Sequence, residues 1–353
     1  MFDKPQSQSQ DGTGNALQAG NDINLTLNHG MSYSDVRDIA LDVVKANLQE
    51  FKGQAMQIAL DRAEAVTEKF LHKLQDEYPK GLQQAQTPDF QDALFTVQKE
   101  YAKAGDEELG DLLVDLLVDR TKQAGRNLMQ LVLNEALHTA PKLPAAHIAT
   151  LSIIFLFRCV RFHNSTTVAK LGENIQMHLS PVVAKYTTNR STFAHLEFTG
   201  CGTDVQFDVT TLEQLCLVQY PGLFKTGFDQ ARLDVEQIDP AIKASLVITC
   251  LNDPAKFQFS ALSLDVLNEQ IEKLNVSAED ALKVRALYAE ASMAEEQVRE
   301  KMVAVAPLLE DIFKVWNSTP MKTFSPTSVG MAIGHANIKR HVGEFSPLSV
   351  WVN

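Results

Sequence analysis

The 353 residues are 45% hydrophobic and 22% charged, which excludes a wholly disordered polymer and leaves enough apolar side chain for one large or two modest cores. Forty-four acidic residues against 32 basic ones give a net charge of −12, an acidic field that repels nucleic-acid phosphates and anionic lipid. The basic spot at Lys339 and Arg340, flanked by His335 and His341, is too small to reverse that field.

Four well-separated cysteines, Cys159, Cys201, Cys216 and Cys250, sit mostly in apolar text and read as reduced, buried thiols of a cytoplasmic protein. The Met1 region lacks the apolar stretch of a signal peptide. Leu143 to Phe157 is the longest uncharged apolar run. It contains Pro144 and His147, is too short to span a bilayer, and is expected to be a core helix.

The expected fold class is mainly α: long helices plus a helical bundle, with a short N-terminal strand and a small C-terminal β element. Residues 1–14 hold little to bury and are expected to be a disordered tail. Residues 15–30 form a β segment for strand pairing or assembly. Within it Ile23, Leu25 and Leu27 alternate with Asn24, Thr26 and Asn28. Similar alternation at Val205 to Val209 and Leu348 to Val352 offers two partners within the chain, and a neighbouring chain is the third option.

Residues 31–190 are expected to form a helical domain with a long first helix, Tyr33 to about Glu77. Ser32 and Asp35 have capping-box spacing, and Gly53 is its weakest point. Thr87-Pro88 opens a helix to about Lys103. Further helices follow over Asp106 to Gln123, Arg126 to Thr139, Ala145 to Phe162 and Ser165 to Lys185. Thr187 to Thr211 is turn-rich and weakly strand-like, and the domain boundary is placed there. Residues 191–353 then form a second, mainly helical domain. Thr211 to Val218 and Pro240 to Leu251 read as short helices. A second long helix, 278–316, starts at Ser277 and is kinked at Pro307. Its Met302, Val305, Leu309, Ile312 and Trp316 recur in a coiled-coil pattern, making it the expected partner of the first long helix. A C-terminal helix, about Thr327 to His341, precedes the final strand, and Gly330 and Gly334 in that helix permit close packing.

Asp111, Asp115 and Asp119, spaced by four, share one helix face and invite a cation or a Lys/Arg partner. A divalent-metal site is the chemical reading, although a second acidic cluster is not apparent. A solvated face opposite Leu112, Leu113, Leu116 and Leu117 is the plainer one. His195-Leu196-Glu197 lacks the paired cysteines that zinc deaminases require. A cysteine nucleophile beside His195 or His163 is a further candidate, since such partners meet in space. His335 and His341, six apart, suit a surface role better than metal binding. No phosphate-loop, zinc-protease or hydrolase-elbow motif occurs.

The segments ALQAGNDINL, SYSDVRDIALDVVKANL, DLLVDLLVDR, VLNEALHTAPKLP and SPTSVGMAIGHANIKR resemble those of a bacterial protein family without assigned function. The likeness spans nearly the whole chain and brings no site residues with it. In layout, a helical domain closed by SPTSVGMAI is similar to abortive-infection proteins of the alpha type. The resulting expectation is a non-enzymatic, self-associating bacterial protein, a sensor or scaffold in antiphage defence. It is a cytoplasmic homo-oligomer without cofactor, open to a protein partner, with nucleic acid and the resting membrane disfavoured. The alternatives are a metal-dependent enzyme with a helical Asp-lined site and a membrane-acting effector.

Overall fold

The computed structural model describes residues 31–47, 52–123 and 125–353. The chain is mainly helical, with two short two-stranded sheets among the described residues. The disordered tail and β segment expected over 1–30, with Ile23, Leu25 and Leu27, lie outside the described residues.

The first tract is two helices rather than one, α1 (Tyr33–Asn47) and α2 (Gln54–Glu77). Ser32 and Asp35 cap α1 reciprocally, as their spacing predicts. Arg37 reaches back to Glu64 and Glu68, so the two helices run antiparallel. Gly53 adopts φ +59°, a left-handed conformation that a continuous helix does not permit. Each helix finds its partner in the other, with Val44, Ala59 and Ala63 buried between them and Ala102.

Next come α3 (Pro88–Ala104), α4 (Glu107–Thr121), α5 (Leu128–Thr139), α6 (Ala145–Cys159) and α7 (Val168–Val183). Thr87 Oγ1 accepts from Phe90 N at the start of α3, and Asp106 caps α4. The stretch read as turn-rich instead contains α8 (Arg190–Phe198), held by burial of Phe193 and Leu196. It is followed by β1 (Gly202–Asp204).

Three short helices follow, α9 (Leu212–Gln219), α10 (Gln230–Glu236) and α11 (Pro240–Leu246). The helix expected to reach Leu251 stops at Leu246, where β2 (Val247–Thr249) pairs antiparallel with β3 (Phe257–Phe259). The second long tract is also divided, after α12 (Leu264–Lys273), into α13 (Ala278–Glu290), α14 (Glu295–Val305) and α15 (Leu309–Ser318). Thr226 N donates to Ala291 O and Met293 N to Phe224 O, which draws residues 291–293 out of helical bonding. Pro307 separates α14 from α15. The coiled-coil pattern therefore falls on two helices, and α14 packs on α7 and α9 rather than on the first tract.

β4 (Phe324–Pro326) pairs with β1 in the register Gly202 to Pro326, and α16 (Ser328–Val342) follows. The final residues are not a strand. Val350 N bonds Pro347 O and Trp351 N bonds Leu348 O, a tight turn that buries Leu348 and Val352 and leaves Val350 outside. Val205 to Val209 is not a strand either, because Asp208 N turns back to Val205 O.

One apolar core extends from Val36 to Val352, across the expected partition at 190/191. At its centre α16 lies on α6. Gly334 sits against Phe155 and the Leu151 carbonyl, and a Cβ at Gly330 would strike the Cys201 carbonyl, so both glycines permit the close approach expected of them. A second, smaller core gathers residues of 228–291, including Phe228, Leu246, Phe259, Leu267, Ile271 and Leu287.

Candidate functional site

The three aspartates of α4 occupy three different environments. Asp111 is exposed at the surface, where Lys69 Nζ stands 2.9 Å from its Oδ1. Asp115 is 1% exposed and pairs with Lys73. Asp119 is largely covered and receives Lys339 Nζ at 2.9 Å and Lys122 Nζ at 3.0 Å. Glu77 extends the network, with Lys122 at 2.7 Å. The cation that the aspartate spacing invites is thus a set of lysines, two of them four apart on α2 in register with Asp111 and Asp115. The four-residue spacing of Lys69 and Lys73 is the sequence signal that matches the aspartates.

The face is solvated only at its Asp111 end, because the helices packed around α4 cover Asp115 and largely cover Asp119. Burial pushes the Asp115 carboxyl up, and the Lys73 ammonium only partly offsets it. Lys73 Nζ lies directly against Asp115 Oδ1 as an ion pair. Asp119 is also penalised by burial, yet Lys339 and Lys122 outweigh the penalty and hold its carboxyl below the usual range. Among the described residues no group of three or more His, Cys, Asp or Glu side chains is placed to hold a metal ion.

Two of the cavities that flank the C-terminal half of α16 bear on its charged residues. One, about 340 Å³, opens between the starts of α4 and α6 and the end of α7, lined by Glu108, Lys142, Lys185, Asn337, Arg340 and His341. Arg340 is fixed there, Nε donating to Asn337 Oδ1 at 3.0 Å and Nη1 to the Glu108 carbonyl at 2.8 Å. Lys185 bonds the Glu108 carboxylate and keeps it ionised, holding its pKa down. The other cavity, about 290 Å³, lies under the C-terminal residues and is lined by Asp119, Lys122, His335, Lys339 and Phe345.

His335 is 1% exposed, contrary to the surface role expected of it. Its Nε2 bonds the Ser346 carbonyl at 2.8 Å while Nδ1 has no partner. Phe155, Phe345 and Trp351 surround the ring, and desolvation lowers its pKa, so it stays neutral. His341 remains exposed.

The other candidates separate. All four cysteines are free thiols. Burial pushes Cys159 up to about 11 and Cys216 up to about 12, and raises Cys201, the wrong direction for a nucleophile. His195 faces His147 rather than a cysteine, and Glu197 is exposed. Ile148 to Phe157 is buried at the centre of the core, so membrane action by this helix requires the core to open. Among the described residues no helix is long and apolar enough to cross a membrane.

No curated protein and no solved structure matches the chain. A family model of uncharacterised proteins matches residues 30–352, and the chain belongs to that family.

Proposed function

We propose that this protein works by contact rather than by catalysis, as a self-associating sensor or scaffold. The observation that carries this reading is that large apolar rings stand in water near β1. Phe207 is 101% exposed and Phe198 86%, with Val209 also exposed. An aromatic ring buries about 150–250 Å² on contact, so covering two of them recovers several kcal/mol at roughly 25 cal/mol per Å². A second copy of the chain is the proposed occupant, and the segment carrying Ile23, Leu25 and Leu27 is a second proposed assembly element. The biological setting proposed is antiphage defence, which a plaque assay on cells carrying and lacking the gene tests.

Light scattering behind size exclusion tests the assembly on the full chain, a chain lacking residues 1–30, and Phe198→Ser with Phe207→Ser. The expected result is an oligomer that the double substitution weakens. A full chain that stays monomeric at high concentration overturns the reading.

A metal-dependent enzyme at the α4 carboxylates has one observation in its favour. Asp115 is buried beside a recess of about 530 Å³ lined by His72, Lys73, Asp76 and His341. Thermal stabilisation by Mg²⁺ or Mn²⁺ that vanishes in Asp115→Ala supports this second reading, and its absence at millimolar metal removes it.

A further inference from the structure

Two histidines outside the charged seam meet between α6 and α8. His147 lies in the first turn of α6 and His195 in the last turn of α8. Their Nδ1 atoms are 3.0 Å apart and the ring planes are inclined at 64°. Both rings are partly exposed, so an ion in solution can reach them. The Phe198 ring lies nearly parallel to that of His195, its centroid 6.5 Å away.

Without a ligand, one proton lies between these nitrogens, because two lone pairs facing each other at that distance repel. The same separation suits a chelate once the rings turn so that both lone pairs point at one ion. Metal–imidazole bonds of about 2.0–2.1 Å put two donors about 2.8–3.0 Å apart when the angle at the metal is near 90°, and about 3.3–3.4 Å apart at the tetrahedral angle. The observed separation fits cis positions of a square-planar or octahedral ion, a geometry that Cu²⁺ and Ni²⁺ adopt more readily than Zn²⁺.

We propose that His147 and His195 form a bidentate site for a divalent late transition-metal ion of the Cu²⁺ or Ni²⁺ class, its remaining positions open to water or an entering donor. Histidine binds a metal ion as the neutral imidazole. The carbonyl end of α8 attracts the ion, whereas the amide end of α6 opposes it, so the affinity is moderate rather than extreme. The ion takes the place of the proton shared by the two nitrogens, so binding releases that proton.

The test is calorimetric titration of the full chain, without a histidine tag, with NiCl₂ and with ZnCl₂, and an absorption titration with CuCl₂. The expected result is one ion per chain, Ni²⁺ bound more tightly than Zn²⁺, an imidazole–copper band, and a loss of about tenfold or more in either His147→Ala or His195→Ala. Circular dichroism establishes that both variants are folded, and His138→Ala, an exposed histidine of α5, serves as a control that leaves binding unchanged. Binding that survives in the His147→Ala/His195→Ala double variant overturns the assignment, as does tighter binding of Zn²⁺ than of Ni²⁺ or no binding at millimolar metal.

Discussion

Around α6 and α16, side chains interlock over a continuous core and buried carboxylates are matched with lysines. In residues 228–291, short helices and a two-stranded sheet enclose a smaller core, and the lysine at its margin is not paired with a carboxylate. Lys225 is 2% exposed. Its ammonium lies 3.6 Å from the Tyr288 ring centroid, donating to the Tyr288 carbonyl and to Ser292 Oγ. The contrast teaches that the two parts resist unfolding by different means. The first relies on extensive apolar burial, whereas the second has a smaller core and should give way first.

Phe155→Ala gives the largest expected effect. Phe155 is fully buried between Gly334 and the His335, Phe345 and Trp351 rings, and truncation should cost about 3–5 kcal/mol in a denaturant titration. Hydrogen exchange should accelerate throughout α6 and α16, because both helices share that contact.

Leu267→Ala, in the smaller core, should cost about 2–3 kcal/mol. The sharper readout is spatial. Amides of α12 and α13 should exchange faster while those of α6 and α16 keep their protection. A uniform loss of protection would mean that the two cores unfold as one and would remove the distinction drawn between them.

The same contrast governs what could be read in the sequence. Helix starts were legible where the signal is local: Thr87-Pro88, the Ser32/Asp35 pair and Ser277 each carry their cap within four residues. The break at 291–293 was not, because it is made by hydrogen bonds to residues 224–226, some 65 positions earlier, within alanine-rich text that favours helix. Pattern reading also takes Leu348 to Val352 for a strand, since a tight turn after Pro347 can set alternate residues in and out as a strand does. At the site, the aspartate spacing was visible, and so was the lysine spacing on α2. What the spacing cannot give is depth. Asp111 and Asp115 are identical in sequence terms and opposite in burial, and the meeting of His147 with His195 has no local signature.

Lys225 provides the next test of the contrast. Burial lowers its pKa to about 8 from 10.5. The unfolded chain then binds more protons than the folded one between those values, so folding carries the full cost of the buried charge below about pH 8 and loses it as the pH rises towards 10.5. The stability difference between the native chain and Lys225→Met should therefore shift in favour of the native chain over that interval and stay level below it. Thermal melts from pH 7 to 10.5 measure the shift.

The smallest effect concerns two aspartates one helical turn apart. Asp119 has its folded pKa below the unfolded value of 3.8, so it contributes stability above that value, which is lost as the pH falls through the folded pKa. Asp115 has its folded pKa above 3.8, so its ionised form costs stability, and the cost is relieved as the pH falls through the raised value. Asp119→Asn should accordingly flatten the acid limb of a melting-temperature profile, and Asp115→Asn should steepen it, because the native relief is gone. Flattening in both variants would show that Lys73 outweighs burial at Asp115. The body would then hold two equivalent ion pairs, and Lys225 would be the sole group among the three whose environment disfavours its charge.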